Sequence, residues 1–314
     1  MSAELSVDPA APQAPSARIL ERGYRRYDGP RRGASGAARS VIRHTVQRCL
    51  GLHRPARAKV FPILTLLLAY VPTVIYVGIT VLGNRLQRQG VPGREMVNQF
   101  IPTYASNYLQ VVLAILLFAA FVAPEVLCPD RRTGMLGLYL SAPLTRTRYL
   151  VAKAAAVLAM VSIVTVGPPV ILLVGYATQG FGPDGLADWV GTIVRILGAG
   201  LAVSVLYSAV SLAISSITSR KAAASAAFLA LIIGLPSLLT FLVVAGGYST
   251  TLRLGDLFTL PYEAVFRIFE EPSPFLVAGE EELSAATVWA AYAAWLAASV
   301  GVIAVSYRRV QVTR

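Results

Sequence analysis

The three lysines of this chain are the residues that would mark a nucleotide-binding loop, because such a loop ends in Gly-Lys-Ser/Thr and cradles phosphate groups. They are Lys59, Lys153 and Lys221, and they follow Ala, Ala and Arg. No glycine precedes any of them. The chain therefore lacks a nucleotide-binding loop of this kind.

Residues that could bind a metal ion or carry out catalysis are few and widely separated. The potential nitrogen and sulfur ligands are His44, His53, Cys49 and Cys128. They lack the close spacing of metal ligands, so we expect no metal site and no disulfide framework. The apolar stretches also lack the paired acids of a membrane-embedded hydrolase, so no catalytic residue is predicted. Glu125, at the end of an apolar stretch, is the only acid placed for proton-coupled transport.

The composition is that of a membrane protein. Of the 314 residues, 55% are hydrophobic and 14% are charged, and the mean hydropathy is +0.62. A soluble domain carries about 25% charged residues. We therefore expect much of this chain to lie in a bilayer.

Six stretches are long enough to cross a bilayer, which takes about 20 apolar residues. They carry no charge or a single one, and they cover 60–84, 96–124, 154–183, 196–219, 222–252 and 283–307. Backbone in hydrocarbon must satisfy its own hydrogen bonds, which predicts helices. The apolar cores of these helices are placed at 61–82, 108–127, 149–176, 189–217, 223–246 and 285–306.

The placement of arginine and lysine predicts the orientation. With the N-terminus inside, six crossings return the C-terminus to the cytoplasm, and 22 of the 28 basic residues fall on the cytoplasmic side. Ten of the sixteen acids fall outside. The net charge of +12 is thus explained by topology, and we expect no nucleic acid partner. The sequence predicts a multi-pass protein of the plasma (cytoplasmic) membrane with both termini in the cytoplasm.

The chain before the first span divides into two parts. Residues 1–36, rich in proline, alanine and arginine, are predicted to be a disordered basic tail. Residues 37–58 are predicted to be an amphipathic helix, with Val41 and Cys49 on its apolar face and Arg43 on its polar face. We favour a helix lying in the headgroup region, and the alternative is a cytosolic helix packed on a partner.

Residues 59–314 form the predicted six-span domain, and its outer side carries a long loop at 248–283. A helix beginning at Pro261 is expected in that loop; it either dips into the membrane or packs on the surface of the spans. Pro168 and Pro169 are predicted to kink the third span and act as a hinge.

Polar residues within the fourth span are candidates for a substrate path. The serines recur at helical spacing and are Ser204, Ser208, Ser211 and Ser215. They either face a substrate path or join helices, and packing is the commoner role for small polar residues in spans. Arg195, near the outer end of the same span, either reaches outward as a structural cation or contacts substrate.

The cytoplasmic loop at 128–148 carries the most distinctive pattern. Asp130 is expected to open a short helix, since an acid suits the positive end of a helix dipole, and Pro143 to end it. Thr145 is expected to cap a second helix that runs through Lys153 into the third span. A generic basic loop needs only arginines, whereas this one combines charge, an apolar middle and a proline.

This loop resembles that of the permease subunits of type-2 ATP-binding-cassette (ABC) exporters. The resemblance rests on the sequence DRRTG at 130–134, the leucine-rich run to Leu140, SAPLTR at 141–146, and Lys153. It extends over residues 37–308, with an interfacial helix, six spans and a long outer loop before the sixth. The departures from the family pattern are Met135, Gly137 and Ala152.

The resemblance implies an all-α fold of the type V ABC exporter kind, in which 130–142 is the coupling helix. The implied contacts to the ATPase are Asp130, Arg131, Arg132, Gly134, Leu136, Tyr139, Leu140 and Pro143. Two permease subunits, identical or different, would pair among membrane lipids and sit on two copies of an ABC ATP-binding subunit. ATP and Mg²⁺ would bind there, and no cofactor would bind to this chain.

Three functions follow from these patterns. The first is the permease of an exporter for an amphiphile, such as a drug (multidrug export), a lipid or a lipid-linked glycan. The second is a non-transporting scaffold or assembly factor that transmits force from an ATPase. The third is a secondary transporter, which would need buried titratable groups and inverted repeats. We favour the first.

Overall fold

The computed structural model of the protein describes Gly29 and residues 33–52, 55–89, 101–135, 144–246, 250–275 and 283–308. The regular structure of these residues is helical. The α-helices are α1 (Gly33–Cys49), α2 (Arg57–Arg88), α3 (Tyr104–Gln110), α4 (Val112–Arg132), α5 (Arg146–Thr178), α6 (Leu186–Ile217), α7 (Lys221–Leu229), α8 (Leu235–Val244), α9 (Leu260–Phe269) and α10 (Ala285–Arg308). A π-helical turn (Ala230–Gly234) joins α7 to α8, and a 3-10 turn (Thr250–Gly255) precedes α9. All of them belong to one compact unit, Gly33–Arg314.

The prediction of six membrane-spanning helices is confirmed at the level of length and composition. Helices long and apolar enough to cross a membrane are Lys59–Arg88, Val112–Arg132, Arg146–Thr178, Leu186–Ile217, Lys221–Val244 and Ala285–Arg308. The fifth combines α7, the π-helical turn and α8 into one continuous rod. The chain is thus built as a multi-pass membrane protein.

Three of these spans form the centre of the bundle and three lie at its periphery. The most apolar stretches of α4, α5 and α6 are 67%, 50% and 72% buried, against 22%, 17% and 11% in the first, fifth and sixth spans. Large apolar side chains therefore remain exposed on the outer helices, such as Leu64 on α2, Phe241 on α8 and Val300 on α10. Soluble proteins rarely expose so much apolar surface to water, and a bilayer would cover it.

The central helices α5 and α6 approach closely at a glycine. A Cβ placed on Gly200 of α6 would lie 2.5 Å from Cγ2 of Val166 on α5. Beside this contact, the Thr165 hydroxyl donates a hydrogen bond to the Gly200 carbonyl (2.9 Å). Small residues let the backbones of membrane helices pack in this way.

The helix predicted after Pro261 exists as α9, and it is inserted between spans. Its residues Leu260, Tyr262 and Val265 are buried. The ring centroids of Tyr262 and Tyr207 lie 6.4 Å apart. Tyr207 lies about 31 Å along α6 from Leu186 and about 15 Å from Ile217, at a rise of about 1.5 Å per residue. The loop therefore reaches far into the bundle and does not rest on its outer surface.

Helix α10 holds the segment before α9 at a similar depth in the bundle to the contact between Tyr262 and Tyr207. Trp295 donates from Nε1 to the carbonyl of Leu254 (3.3 Å). Trp295 lies near the middle of α10, which packs parallel to α6. Tyr292 bonds to the Ala202 carbonyl (2.8 Å), and about four turns further along both helices Ser306 bonds to the Ser216 carbonyl. The predicted outer loop, 248–283, is thus in part an element of the bundle interior.

The first helix begins and ends earlier than predicted. Residues 33–36 of the predicted disordered tail are helical, and apart from Gly29 the rest of 1–36 lies outside the described residues. The helix expected over 37–58 ends at Cys49 because Gly51 adopts a left-handed φ of +70°. Leu52 N–H then bonds to the Gln47 carbonyl (2.8 Å), which closes the helix end.

The two prolines of the third span do not interrupt it. Pro168 and Pro169 are buried within α5, which runs as one helix from Arg146 to Thr178. Because proline has no N–H, the carbonyls of Val164 and Thr165 lose their usual partners four residues on. The helix therefore continues through both prolines although two of its backbone hydrogen bonds are lost there, and the kink and the hinge remain predictions.

We expect Gly200→Ala to destabilise the bundle and Gly198→Ala to leave it unchanged or slightly more stable. The added methyl at position 200 meets Val166, which costs about 1–3 kcal/mol, whereas nothing lies within 4 Å of a Cβ at Gly198. Alanine also favours helix over glycine by about 0.5–1 kcal/mol. Thermal unfolding of the detergent-solubilised variants measures both effects. Equal melting temperatures for the two variants would contradict the close approach of α5 and α6.

Candidate functional site

The end of α4 corrects the prediction for the loop that follows it. Asp130 was expected to open a new helix, but it lies in the last turn of α4, which ends at Arg132. Gly134 adopts a left-handed φ of +66°, and the N–H of Met135 bonds back to the Asp130 carbonyl (3.1 Å). This is the backbone pattern that terminates helices. The carboxylate of Asp130 therefore sits at the negative end of a helix dipole and needs a cation nearby.

That cation is Lys153 on α5. Its Nζ lies 2.8 Å from Oδ2 of Asp130, and both side chains are almost fully buried, at 3% and 4% exposure. The same carboxylate oxygen accepts a hydrogen bond from the Tyr149 hydroxyl (2.7 Å). The Tyr149 ring also lies under the ammonium group, with Nζ 5.6 Å from its centroid. Lys153 thus forms a buried ion pair with Asp130.

Three further charged residues extend this pair into what we call the ion cluster: Arg48, Glu125, Asp130, Lys153 and Lys221. Arg48 of α1 bridges the two acids, with Nη1 3.5 Å from Oδ1 of Asp130 and Nε 3.6 Å from Oε1 of Glu125. The other oxygen of Glu125 pairs with Lys221 at the start of α7. The ion cluster thus joins α1, α4, α5 and α7 at the end of the bundle where α4 ends and α5 begins, hereafter the α4–α5 end.

A neighbouring hydrogen-bond chain joins two more helices to this end. Arg131 donates from Nη1 to the hydroxyl of Ser306 on α10 (3.3 Å), and that hydroxyl bonds to the Ser216 carbonyl on α6. Both spans that flank the loop at 133–145 are therefore fixed to the rest of the bundle. The remaining predicted loop residue with a described position, Arg132, has an exposed side chain.

The ion cluster is built for rigidity. Desolvating a charge costs several kcal/mol, and a buried pair recovers this only when its geometry and hydrogen bonds are good. Here both carboxylate oxygens of Asp130 have donors, and two of these donors, Lys153 and Tyr149, come from α5. A shift of α4 relative to α5 would break these contacts together. The two helices are thus coupled where they enter the loop between them.

The apolar face of α1 packs on the same end. Val41 is buried against Leu144 and Ala152 at the beginning of α5. Together with Arg48 in the ion cluster, these contacts place α1 against the bundle. Val41 and Cys49, which were predicted for the apolar face of this helix, are both buried.

The serines of the fourth span are buried between helices. Ser211 donates to the Ala119 carbonyl on α4 (2.8 Å), and Ser162 on α5 donates to Ser204 (3.2 Å). Ser208 and Ser215 are also buried. These contacts agree with a packing role, and a substrate path along this face stays a prediction.

Arg195 lies toward the opposite end of α6, where it pairs with Glu270 at the end of α9 (2.8 Å). The two side chains are 41% and 75% exposed, so water screens this pair much more than the buried one. The pair fastens the end of α9 to α6. A contact of Arg195 with substrate stays a prediction.

Four of the predicted coupling residues, Leu136, Tyr139, Leu140 and Pro143, lie outside the described residues. Their contact with an ATPase stays a prediction from the sequence. The described residues contain no group of three or more histidine, cysteine, aspartate and glutamate side chains that could hold a metal ion.

The sequence alone did not predict which charged residues of the ion cluster contact one another. Glu125 and Lys221 were considered separately, and Arg48 and Tyr149 were not singled out. One signal could have linked them: charges at the ends of apolar stretches tend to pair with one another, and these acids and lysines belong to the same predicted side. The pairing itself depends on which helices are neighbours, which periodicity does not reveal.

No protein-family model and no curated protein sequence matches the chain.

We expect Asp130→Asn to destabilise the protein by about 3–5 kcal/mol, because it leaves the Lys153 ammonium buried without a counter-charge. The double variant Asp130→Asn with Lys153→Met should recover part of this loss. Glu270→Gln is the matched control, since it breaks an exposed ion pair worth less than about 1 kcal/mol. Thermal or chemical unfolding in detergent measures all three. A loss for Asp130→Asn no larger than that for Glu270→Gln would show that the buried pair does not hold α4 to α5.

We also expect Arg48→Gln to loosen α1, because its guanidinium joins this helix to both acids of the ion cluster. The buried thiol of Cys49 should then react faster with a maleimide, and the buried thiol of Cys128 on α4 should keep its slow rate. Arg43→Gln, which removes an exposed charge from the same helix, is the control. Peptide mass spectrometry reads out both thiols in one sample. Unchanged labelling of Cys49 in Arg48→Gln would contradict a holding role for Arg48.

Proposed function

We propose that this chain is the membrane-spanning permease subunit of an ATP-driven ABC exporter of the type-2 family, with the type V exporter fold. In this proposal the loop at 133–145 lies in the cytoplasm and docks on a separate ATP-binding subunit. Two permease subunits and two ATPase subunits form the complex in the plasma membrane. ATP and Mg²⁺ bind in the ATPase subunits.

The observation that carries the proposal is the buried pair between Asp130 and Lys153. A loop transmits force to a membrane domain only if its ends are held firmly. Here the residue three positions before the loop at 133–145 is tied to the residue eight positions after it. A displacement of the loop would therefore move α4 and α5 together, and would not be absorbed by loosening at the loop ends.

The inserted segment before and within α9 is a second supporting feature. It is attached to the bundle through side-chain contacts, such as those of Trp295 and Arg195, and it does not cross the bundle as a span. Because Leu260, Tyr262 and Val265 are buried against the spans, this segment occupies the space between them on one side of the bundle. It suits a pathway that must close on one side between transport cycles.

The distribution of buried charge favours an amphiphilic cargo and ATP-driven transport. Among the described residues, the buried charged side chains are Asp130, Lys153 and Asp256. They do not form the row of acids or histidines along a span that a proton relay requires. An exporter of a drug, a lipid or a lipid-linked glycan is the function that these features support best.

The test is purification of the full chain from its native membrane and identification of what it retains. We expect an ATPase subunit with a Gly-Lys-Ser/Thr phosphate loop. It should bind through the leucine-rich run of the predicted coupling helix, 130–142. The triple variant Leu136→Asp, Tyr139→Asp and Leu140→Asp should lose that subunit by at least about tenfold, because charge disrupts an apolar contact. Leu186→Asp, at an exposed position of the opposite end, should retain it.

Isolation of the wild-type chain without any ATPase, or equal retention by both variants, would contradict the proposal. A retained ATPase that moves no fluorescent phospholipid analogue in proteoliposomes would instead favour the force-transmitting scaffold.

A further inference from the structure

A cleft of about 490 Å³ opens beside the ion cluster between α5 and α10. Apolar side chains of the two helices line most of it, among them Val151, Val300 and Ile303. This volume is within the usual range of small-molecule sites. The cleft is distinct from the packed serine contacts of α6 and from the inserted helix α9.

The polar lining of this cleft is entirely basic or neutral. Arg146 in the first turn of α5, Arg308 at the end of α10 and Lys153 all contribute to it. Lys153 is already paired with Asp130. Neither arginine has an ion pair or a hydrogen bond with any described residue, and no acidic residue lines the cleft within the described part of the chain. The cleft therefore presents two uncompensated positive charges above an apolar floor.

We propose that this cleft binds the headgroup and one acyl chain of an anionic phospholipid from the leaflet at the α4–α5 end. The arginines lie where two membrane-length helices begin and end, which is the level of lipid phosphates. Basic pockets between spanning helices are known to select anionic headgroups. The exposed apolar side chains of Val151 and Val300 continue from this level along the spans, where an acyl chain would lie.

A second copy of this chain fits the cleft less well. Two copies related by a two-fold axis would bring the same patch of each together, so arginine would face arginine. Like charges in contact disfavour that interface, whereas a phosphate diester supplies the missing negative charge. The apolar floor also needs an apolar occupant, which excludes free phosphate as the full ligand.

Binding at this place would affect the ion cluster through Lys153, which belongs to both. A ligand that binds the folded state stabilises it in proportion to its occupancy. The lipid would therefore strengthen the α4–α5 end, where the loop is held. This role does not depend on the proposed transport activity.

The test is native mass spectrometry of the full-length chain, titrated with phosphatidylglycerol or phosphatidylcholine of the same acyl chains. We expect one tightly held phosphatidylglycerol, with an affinity about tenfold higher than for phosphatidylcholine. Arg146→Gln with Arg308→Gln should lower that preference by about tenfold. Arg85→Gln with Arg88→Gln removes the same charge at the end of α2 and should leave the preference unchanged.

Ala304→Trp provides an independent arm, because it fills the cleft from α10 without altering charge. We expect it to weaken the retained phosphatidylglycerol by about tenfold, as a steric block would. If the Arg146/Arg308 and Arg85/Arg88 double variants lost the preference for phosphatidylglycerol equally, the preference would reflect general charge attraction, and the proposed site would be overturned. Unchanged binding in both Ala304→Trp and the Arg146/Arg308 variant would overturn it as well. So would a lipid-independent dimer that disappears in the Arg146/Arg308 variant.

Discussion

The buried contact between Asp130 and Lys153 is the constraint on which the α4–α5 end of this molecule depends. An acid in the last turn of α4 opposes the helix dipole. Arg48 reaches one oxygen of this carboxylate, and the other oxygen has two close donors, the Lys153 ammonium and the Tyr149 hydroxyl. Both donors come from α5. The two central spans are therefore locked at one end by electrostatics, and along their lengths by close packing of small residues such as Gly200.

This arrangement explains why a hydrophobic chain keeps the ion cluster at one end of its helix bundle. Hydrophobic contacts between spanning helices carry little directional information, because lipid tails are as apolar as the side chains. Charged side chains that must be paired, in contrast, fix how neighbouring helices are aligned along their lengths. Arg48 adds α1 to the same register, and Lys221 adds the fifth span. The ends of α4 and α5 that flank residues 133–145 thus belong to one rigid base formed by several helices.

The sequence predicted the elements better than their contacts. The six spans follow from long uncharged runs, and α9 follows from Pro261 and its apolar residues. The end of α4 was mispredicted because Asp130 is a good residue for a helix start, and Gly134 was not recognised as a stop. The insertion of α9 was left open because amphipathicity is the same for a surface helix and for one buried beside Tyr207. The pairing of Asp130 with Lys153 required knowledge of which helices are adjacent.

We propose that a separate ATPase binds the segment between α4 and α5. A photoreactive amino acid at position 139, in full-length protein within native membranes, tests this most directly. Illumination should capture a cytosolic subunit with a Gly-Lys-Ser/Thr phosphate loop, and the same probe at position 186 should not. Capture of lipid alone from position 139, or labelling of that position by a reagent confined to the outer side, would contradict the account.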